Sequence, residues 1–260
     1  MPRSMWNGAL SIAGVHVPVK VFAATEPHTP RFRELHAADG APIEHRRVSA
    51  RTGREVPFDR IVKGYETSGG HYLVLTDEEI RAIEAPERKA IEVEDFVPAE
   101  QIDPVFYDRA YHLGAADEGR DGFAALLAAL ERTGLVGIGR VTLRSREQLV
   151  AIRAGDRVLR MSTMRFADEL IAPAKLKLEE PKKAPSRRER EMAAQLISGM
   201  KEEFDPAAFE DEYRKRVEDY ARRKARGKAP ELQPVPAPEE TGDLLGALQA
   251  SMDASRKRAA

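Results

Sequence analysis

The chain of 260 residues contains no cysteine and no apolar run near the ~18 residues that a membrane-spanning helix needs. The first absence excludes disulfide bonds, cysteine nucleophiles and thiolate zinc sites. The N-terminal residues also lack the continuous apolar core and the small-residue cleavage site of a signal peptide. We therefore expect a cytoplasmic protein without a membrane partner.

Catalytic motifs are absent as well. The sequence has no glycine-rich phosphate loop, no GxSxG and no HExxH, and its six histidines are scattered without metal-ligand spacing. The acidic residues Glu92, Glu94, Asp95, Asp103 and Asp108 could be imagined as the metal site of a nuclease. The first three alternate with apolar residues, however, which is typical of the solvent face of a strand. We expect no enzyme, no catalytic residue, no metal and no cofactor.

Charge is abundant but segregated along the chain. The 42 basic and 43 acidic residues give a net charge of −1. Residues 65–118 hold 14 acids and 4 bases, whereas residues 28–63 hold 8 bases and 5 acids. Residues 140–160 and 182–228 are also net basic, by four charges each. Nucleic-acid binding needs a local basic surface rather than a basic total, although a mixed solvated surface gives the same counts.

Residues up to about 170 predict a mainly β domain with a few helices. Predicted strands lie at 9–24, 31–37, 43–49, 69–75, 91–97, 135–144, 147–154 and 156–166. Tight turns are expected at Asp39-Gly40 and Gly155-Asp156, and Pro18 predicts a sheet edge or a bulge. Short strands at this spacing favour a barrel or a sandwich.

Capping residues and apolar periodicity predict four helices. Thr76 with Glu79, and Ser186 with Glu189, fit capping boxes at the start of helices. The pattern at 122–133 predicts an amphipathic helix that Gly134 ends. A further helix is expected to begin at Asp205-Pro206. The apolar stripes of the late helices comprise Met192, Leu196, Phe209, Tyr213, Val217 and Tyr220. They are too sparse for a core of their own, so these helices should pack on the barrel or on a second chain.

The last residues read as a linker and a docking peptide. Residues 230–240 include four prolines, which predicts a stiff extended linker. The terminal segment predicts a short amphipathic helix with one apolar side, formed by Leu244, Leu245, Leu248 and Met252. An isolated helix of this length is marginal in water, so we expect it to order on a partner, the alternative being a frayed terminus.

Arginines are the residues that point to a function. Arg31 and Arg33 share one face of a predicted strand, and Arg46 and Arg47 lie on the predicted return strand. Arg51 and Arg54 follow at a turn, and Arg140, Arg144 and Arg146 lie along and just after another strand. Basic rows on hairpins suit phosphate contacts rather than base reading. Since few aromatic residues interleave with them, double-stranded DNA held by its phosphates is the better interpretation.

A family likeness covers almost the whole chain in order. The matching segments are WNGALSIAGVHVPVKVFAAT, FRELHAADG, EVPFDRIVKGYE, YLVLTDEEI, IEVEDFVPAEQIDPVFYDRAYHL, ALLAALERTGLVGIGRVTLRSREQLVAI, EMAAQLISGM and FDPAAFEDEY. They resemble bacterial Ku, the protein that binds the ends of DNA double-strand breaks. One departure is that many relatives carry a cysteine pair where this chain has Ser49 and Thr52, so a metal or thiol role there is absent.

The resemblance implies a fold that is mainly β with α: a Ku-type β-barrel with a bridging hairpin region, followed by an α-helical arm. The implied division is a barrel domain at 1–172 with a bridge at about 28–70, a linker at 173–186, a dimerisation arm at 187–228, a proline-rich linker at 229–240 and a docking helix at 241–260.

The implied function is non-homologous end joining by a homodimer whose ring is threaded by a DNA end. The implied partners are double-stranded DNA ends and a multifunctional ATP-dependent DNA ligase of the ligase D type, in the bacterial cytoplasm at breaks in the nucleoid. Candidate DNA contacts are Lys20, Arg31, Arg33, Arg46, Arg47, Arg51, Arg54, Lys63, Arg140, Arg144 and Arg146. A metal-dependent nuclease and a nucleoid-type architectural DNA binder are the alternatives.

Overall fold

The computed structural model describes residues 3–84, 89–178 and 184–228. The chain divides into two compact units. One consists of residues 1–27 and 33–172, and the other of residues 28–32 and 173–260. The first unit holds a β-barrel and an exposed extension, and the second holds two helices.

The described residues include nine strands and four α-helices. The strands are β1 (Trp6–Ile12), β2 (Val15–Ala23), β3 (Lys63–Glu66), β4 (Tyr72–Leu75), β5 (Ala90–Pro98), β6 (Tyr107–Ala115), β7 (Leu135–Leu143), β8 (Arg146–Gly155) and β9 (Val158–Met164). The helices are α1 (Asp77–Ile83), α2 (Arg120–Thr133), α3 (Arg187–Gly199) and α4 (Glu212–Ala225).

Seven strands close into a barrel in the order β1-β2-β6-β9-β8-β7-β5. The pairing is antiparallel except between β5 and β1, which run parallel and complete the closure. A closed barrel has no edge, so every one of these strands is paired on both sides. The predicted fold class, mainly β with a barrel and additional helices, is confirmed.

The core fills the barrel interior because alternate residues of each strand point inward. Leu10, Ile91, Leu113, Leu159 and Met161 are among the side chains that are fully buried. From α2, two further residues join this cluster, Phe123 and Leu130. The helix packs near the start of β2, where a Cβ on its residue Gly122 would meet the Val17 side chain at 3.3 Å.

Three tight hairpins of the barrel turn on residues with positive φ, as two-residue turns of type I′ require. The pairs are Ala13-Gly14, Arg144-Ser145 and Asp156-Arg157. The last of these replaces the predicted Gly155-Asp156 turn, because Gly155 still pairs with Val158 as the end of β8. Two arginines thus occupy a conformation that most residues avoid.

Pro18 lies inside β2, at neither an edge nor a bulge. It pairs with Ala9 in a continuous β1–β2 register. The β2–β6 ladder begins only at Val19, so the missing N–H of the proline lies outside that ladder.

The predicted strands at 31–37 and 43–49 are wrong. Two isolated bridges, Leu35 with Pro42 and Val48 with Glu55, are what forms in this region. The rest of the segment consists of turns and irregular chain, because its apolar side chains are exposed (Leu35 by 56% and Val48 by 58%) and a lone hairpin is marginal in water. Arg31, Arg33, Arg46 and Arg47 therefore lie on no strand, and the argument from strand faces does not hold for them.

Beyond this segment, β3 and β4 form a separate two-stranded sheet. The pattern predicted β4 but missed β3. The capping box before α1 is present: the Glu79 N–H donates to the Thr76 hydroxyl and the Thr76 N–H donates to the Glu79 carboxylate. The Thr76 N–H, and after it the Thr76 hydroxyl, which donates to the same carboxylate, lower the pKa of Glu79.

In the second unit, the predicted capping box of Ser186 with Glu189 starts α3. Asp205 does accept a hydrogen bond from the Ala207 N–H, but it starts only a short 3₁₀ turn. The helix α4 begins later, after Asp211, so Phe209 lies outside it and contacts Phe204 instead, with 5.8 Å between ring centroids. No residue of α3 or α4 is buried, in keeping with their sparse apolar stripes.

Candidate nucleic-acid interface

Two turns organise the extended segment that holds most candidate DNA contacts. In the first, the Asp39 carboxylate accepts hydrogen bonds from the Ala41 N–H and the His36 ring. Chiefly the Ala41 N–H, and then His36, hold the pKa of Asp39 below its usual value. In the second, the N–H groups of Ser49 and Gly53 donate to Arg54 and Ser49 carbonyls, both at 2.8 Å. Hydrogen bonds therefore close both turns, and the second has Ser49 and Thr52 in place of the cysteine pair that many relatives carry.

Four candidate arginines lie at or near this second turn, and they differ in whether their side chains have interaction partners. Arg46 pairs with Glu55 at 3.1 Å, and the Arg47 guanidinium lies over the Phe58 ring, 5.0 Å from its centre. Neither Arg51 nor Arg54 has a carboxylate within 4 Å among the described residues. These two side chains keep their full charge available to a ligand.

The other candidate DNA contacts of this exposed segment also differ in whether they form ion pairs. Lys63 pairs with Asp77, its Nζ lying 3.2 Å from the carboxylate. Arg33 is exposed and has no carboxylate partner in the part of the chain that the structure describes. Arg31 belongs to the second unit and is likewise exposed.

On the barrel, Arg140 is held between two carboxylates. Its guanidinium lies 2.9 Å from Glu147 and 3.1 Å from Glu94. The hydrogen bond that Arg140 donates to Glu147 is the largest cause of its raised pKa, and the charges of Glu94 and Glu147 add to it. With both neighbours acidic, Arg140 adds little positive potential to this face.

Lys20, on β2, lies 3.8 Å from Asp117. Arg120 donates to the same carboxylate, and chiefly this hydrogen bond, with Lys20 second, holds the pKa of Asp117 low. Arg144 and Arg146, by contrast, stand at the β7–β8 hairpin without a carboxylate partner among the described residues. Among the candidates that the structure describes, Lys20, Arg46, Lys63 and Arg140 are thus paired with carboxylates, whereas Arg33, Arg51, Arg54, Arg144 and Arg146 are not.

The acidic residues do not gather into a metal site. Glu94 faces Arg140, and Asp103 accepts the Val105 N–H at 2.9 Å, capping a short turn. Asp108 pairs with Arg165 at 3.3 Å. Within residues 3–84, 89–178 and 184–228, no three His, Asp or Glu side chains are placed to hold a metal ion. No helix in these ranges is long and apolar enough to cross a membrane.

Two basic residues with clear structural partners escaped the sequence prediction. Arg165, after β9, donates to the carbonyls of Val105 and Tyr107. Arg109 lies at a bulge in β6, where its N–H donates to Thr163. Neither belongs to a basic run, so no local pattern could have singled them out.

The remaining predicted sites concern assembly. Met192, Leu196, Val217 and Tyr220 are half-buried on α3 and α4, whereas Tyr213 is exposed. The proposed ligase-docking residues Leu244, Leu245, Leu248 and Met252 lie outside the described residues, as do the proline-rich linker and the terminal helix.

Comparison with known proteins gives a consistent family. A model of the Ku70/Ku80 beta-barrel domain matches residues 11–193. The "Non-homologous end joining protein Ku 2" of Saccharopolyspora erythraea is 38% identical, over 98% of this chain and 84% of that protein. The "Non-homologous end joining protein Ku" of Bacillus subtilis is 35% identical, over 98% of this chain and 83% of that protein. The protein of the same name from Archaeoglobus fulgidus is 33% identical, over 97% and 99%. The chain, with its closed barrel and near-complete coverage by these relatives, belongs to the Ku family.

Proposed function

We propose that this chain binds the ends of double-stranded DNA without sequence preference, as a ring-shaped homodimer, in double-strand-break repair by non-homologous end joining. We propose further that it recruits and stimulates an ATP-dependent DNA ligase of the ligase D type. Its relatives are named as non-homologous end joining proteins. We propose that its own role in this process is to bind and position the DNA ends.

The exposed sheet β3–β4 supports a homodimer most directly. Its apolar side chains are largely open to solvent: Tyr65 is 64% exposed, Tyr72 68%, Leu73 57% and Val74 56%. A two-stranded sheet with no covering layer is marginal in water, so burial of these side chains against another surface would stabilise it. A second copy of the chain is always available to provide that surface, and symmetric homodimers are the commonest protein assemblies.

The free guanidiniums support phosphate contacts. Arg33, Arg51 and Arg54 project from exposed chain without carboxylate partners among the described residues, so binding a phosphate would break no existing ion pair. Arg46 and Lys63 would first have to leave Glu55 and Asp77. Contacts of this kind carry no sequence information and lose affinity steeply with salt.

A ring explains why an end is needed. If two copies enclose the duplex, DNA without ends cannot enter a closed ring, whereas a free end can be threaded. Sequence-independent phosphate contacts then allow sliding along the duplex, which frees the end for the ligase.

The test compares linear duplex with covalently closed circular DNA of the same sequence at fixed salt. We expect binding to the linear form and little binding to the circle. A single restriction cut of the circle is the matched control, and it should restore binding. Equal affinity for both forms would contradict threading and favour the architectural alternative.

A further inference from the structure

One end of the barrel, where β2 ends, has an open mouth. The helix α2 packs on Val17 near the start of β2, away from this mouth. The opening is a cavity of about 260 Å³, lined among others by Trp6, Tyr111, Arg109 and Arg144. The mouths of β-barrels are recurrent ligand sites, and this volume lies just under the ~300 Å³ at which sites for drug-sized ligands begin. The mouth therefore suits a small ligand.

Aromatic side chains form its inner wall. Trp6 is half-buried, and its indole lies across Gly8, since a Cβ there would meet the ring at 2.3 Å. Tyr111 is 8% exposed and belongs to the core cluster. Gly8 thus gives the indole room to lie inside the barrel end, where a flat ligand can stack on it.

The rim of the mouth carries two guanidiniums and an amide. Arg144 has no carboxylate partner, and the Gln148 side chain has no hydrogen-bond partner, among the described residues. Among the described residues, the Arg109 guanidinium has one ion-pair contact, a long one of 3.8 Å with its neighbour Asp108. Asp108 is also the one carboxylate of the described residues that lines this cavity, and Arg165 binds it at 3.3 Å. The rim is therefore net positive and holds donors that are free for an anion.

Both arginines are held by irregular backbone. Arg109 lies at the β6 bulge, where the register with β9 shifts between Tyr107 and Ala110. Arg144 has φ of 51° at the β7–β8 hairpin, a left-handed conformation that glycine adopts far more readily than arginine. Bulges and strained positions of this kind are frequent beside binding sites, because they re-aim side chains.

We propose that the barrel mouth binds a single nucleotide, with the base on Trp6 and Tyr111 and the phosphate between Arg109 and Arg144. An aromatic wall and two guanidiniums that line the same cavity match the two halves of a nucleotide, the flat base and the anionic phosphate. Gln148 can donate to or accept from the base edge. In this proposal Arg144 binds the phosphate of a nucleotide in the mouth, not the phosphates along the outside of a duplex.

Two sources can supply this chemistry: a free mononucleotide, or an unpaired terminal nucleotide of a DNA overhang. The second source rests on the proposed function, because it needs a DNA end held near the barrel. The first does not, so the two are separable by experiment.

The chain contains one tryptophan, which makes Trp6 a reporter of the mouth. The experiment titrates Trp6 fluorescence with dAMP, with blunt duplex, and with the same duplex carrying a short unpaired overhang. Free tryptophan titrated in parallel corrects for absorption by the bases. The variants are Arg144→Gln and Arg109→Gln. The matched control is Arg157→Gln, which removes a charge from the other positive-φ arginine hairpin.

We expect saturable quenching by dAMP, by the overhang duplex, or by both, with Kd raised about tenfold or more in Arg144→Gln and Arg109→Gln and unchanged in Arg157→Gln. Quenching by the overhang duplex alone identifies the DNA end as the source. No saturable quenching by either, quenching unchanged in both mouth variants, or equal quenching by blunt and overhang duplex with none by dAMP would overturn the proposal. Failure of end binding would show separately, as equal binding of linear and circular DNA, and would leave the dAMP titration unaffected.

Discussion

Arg165 joins the start of β6 to the end of β9 through three acceptors. Its Nη1 donates to the Val105 and Tyr107 carbonyls, and its Nη2 lies 3.3 Å from Asp108. Its own N–H donates to the Phe106 carbonyl. One side chain therefore fixes the bulged strand on which Arg109 and Asp108 stand.

We predict that Arg165→Met lowers the free energy of unfolding by about 1–2 kcal/mol. Hydrogen bonds from a charged donor contribute roughly 1.5–3 kcal/mol, and this side chain is 40% exposed, which reduces the effect. Urea unfolding measures it. Arg153→Met is the matched control, since Arg153 is exposed on β8 with no partner among the described residues, and it should leave stability nearly unchanged. Equal losses of stability in both variants would contradict the proposed role of the Arg165 hydrogen bonds.

A second prediction at the residue scale concerns Arg157, with φ of 62° in the Asp156-Arg157 hairpin. Arg157→Gly relieves the left-handed strain and creates the Asp-Gly pair that type I′ turns favour, so we expect stability to rise by about 1 kcal/mol. The extra freedom of glycine in the unfolded chain offsets part of the gain. A higher urea midpoint is the readout, and a fall in the midpoint would contradict the turn assignment.

The identity of the charged residues was visible in the sequence, but their availability was not. Arg140 and Arg144 are four residues apart and looked equivalent, yet one lies between two carboxylates and the other stands free. The partners Glu94 and Glu147 come from different strands, so only the sheet register brings them to Arg140.

At the scale of elements, β3–β4 offers two faces to a partner. Tyr65 and Leu73 pair across the strands on one face, and Val74 lies on the other. If the proposed homodimer forms through β3–β4, a second copy covers one face more than the other, so we predict that Leu73→Glu and Val74→Glu differ in their effect. The variant on the covered face should shift the protein from dimer to monomer in sedimentation velocity.

The control for this pair is Val15→Glu. Val15 is 64% exposed at the β1–β2 hairpin of the barrel, so its substitution adds the same charge on an apolar residue away from the sheet. It should leave the assembly unchanged. A dimer that persists in both sheet variants would exclude β3–β4 from the interface.

Elements that the sequence predicted well carry strong local signals. The α1 and α3 capping boxes and the Gly134 end of α2, with φ of 67°, appear where the pattern indicated. The hairpin expected from Arg31 to Ser49 failed because alternation alone cannot show whether a covering layer exists. In this segment no described residue between 31 and 47 is buried, so nothing drives strand pairing.

For the whole molecule, we predict that truncation after Gly227 preserves binding to DNA ends but abolishes stimulation of the ligase. The removed residues include the proline-rich linker and the Leu244–Met252 segment, which lie outside the described residues. Gel shifts with linear duplex and a ligation assay with the purified ligase measure the two properties. The matched control is Leu245→Asp with Leu248→Asp in the full chain, which should reproduce the loss. Stimulation that survives truncation would contradict the docking role.

The sequence by itself determined the family, and through it the barrel, because long segments match; it also determined the starts of α1 and α3, because their capping residues are neighbours in the chain. Only the tertiary structure decided which arginines are free, which turns are strained and where the barrel stays open. Those properties arise from strand order, register and closure, which bring together residues as distant as Trp6, Arg109 and Arg144. A one-residue shift of register would exchange the inner and outer faces, and no local pattern measures that shift.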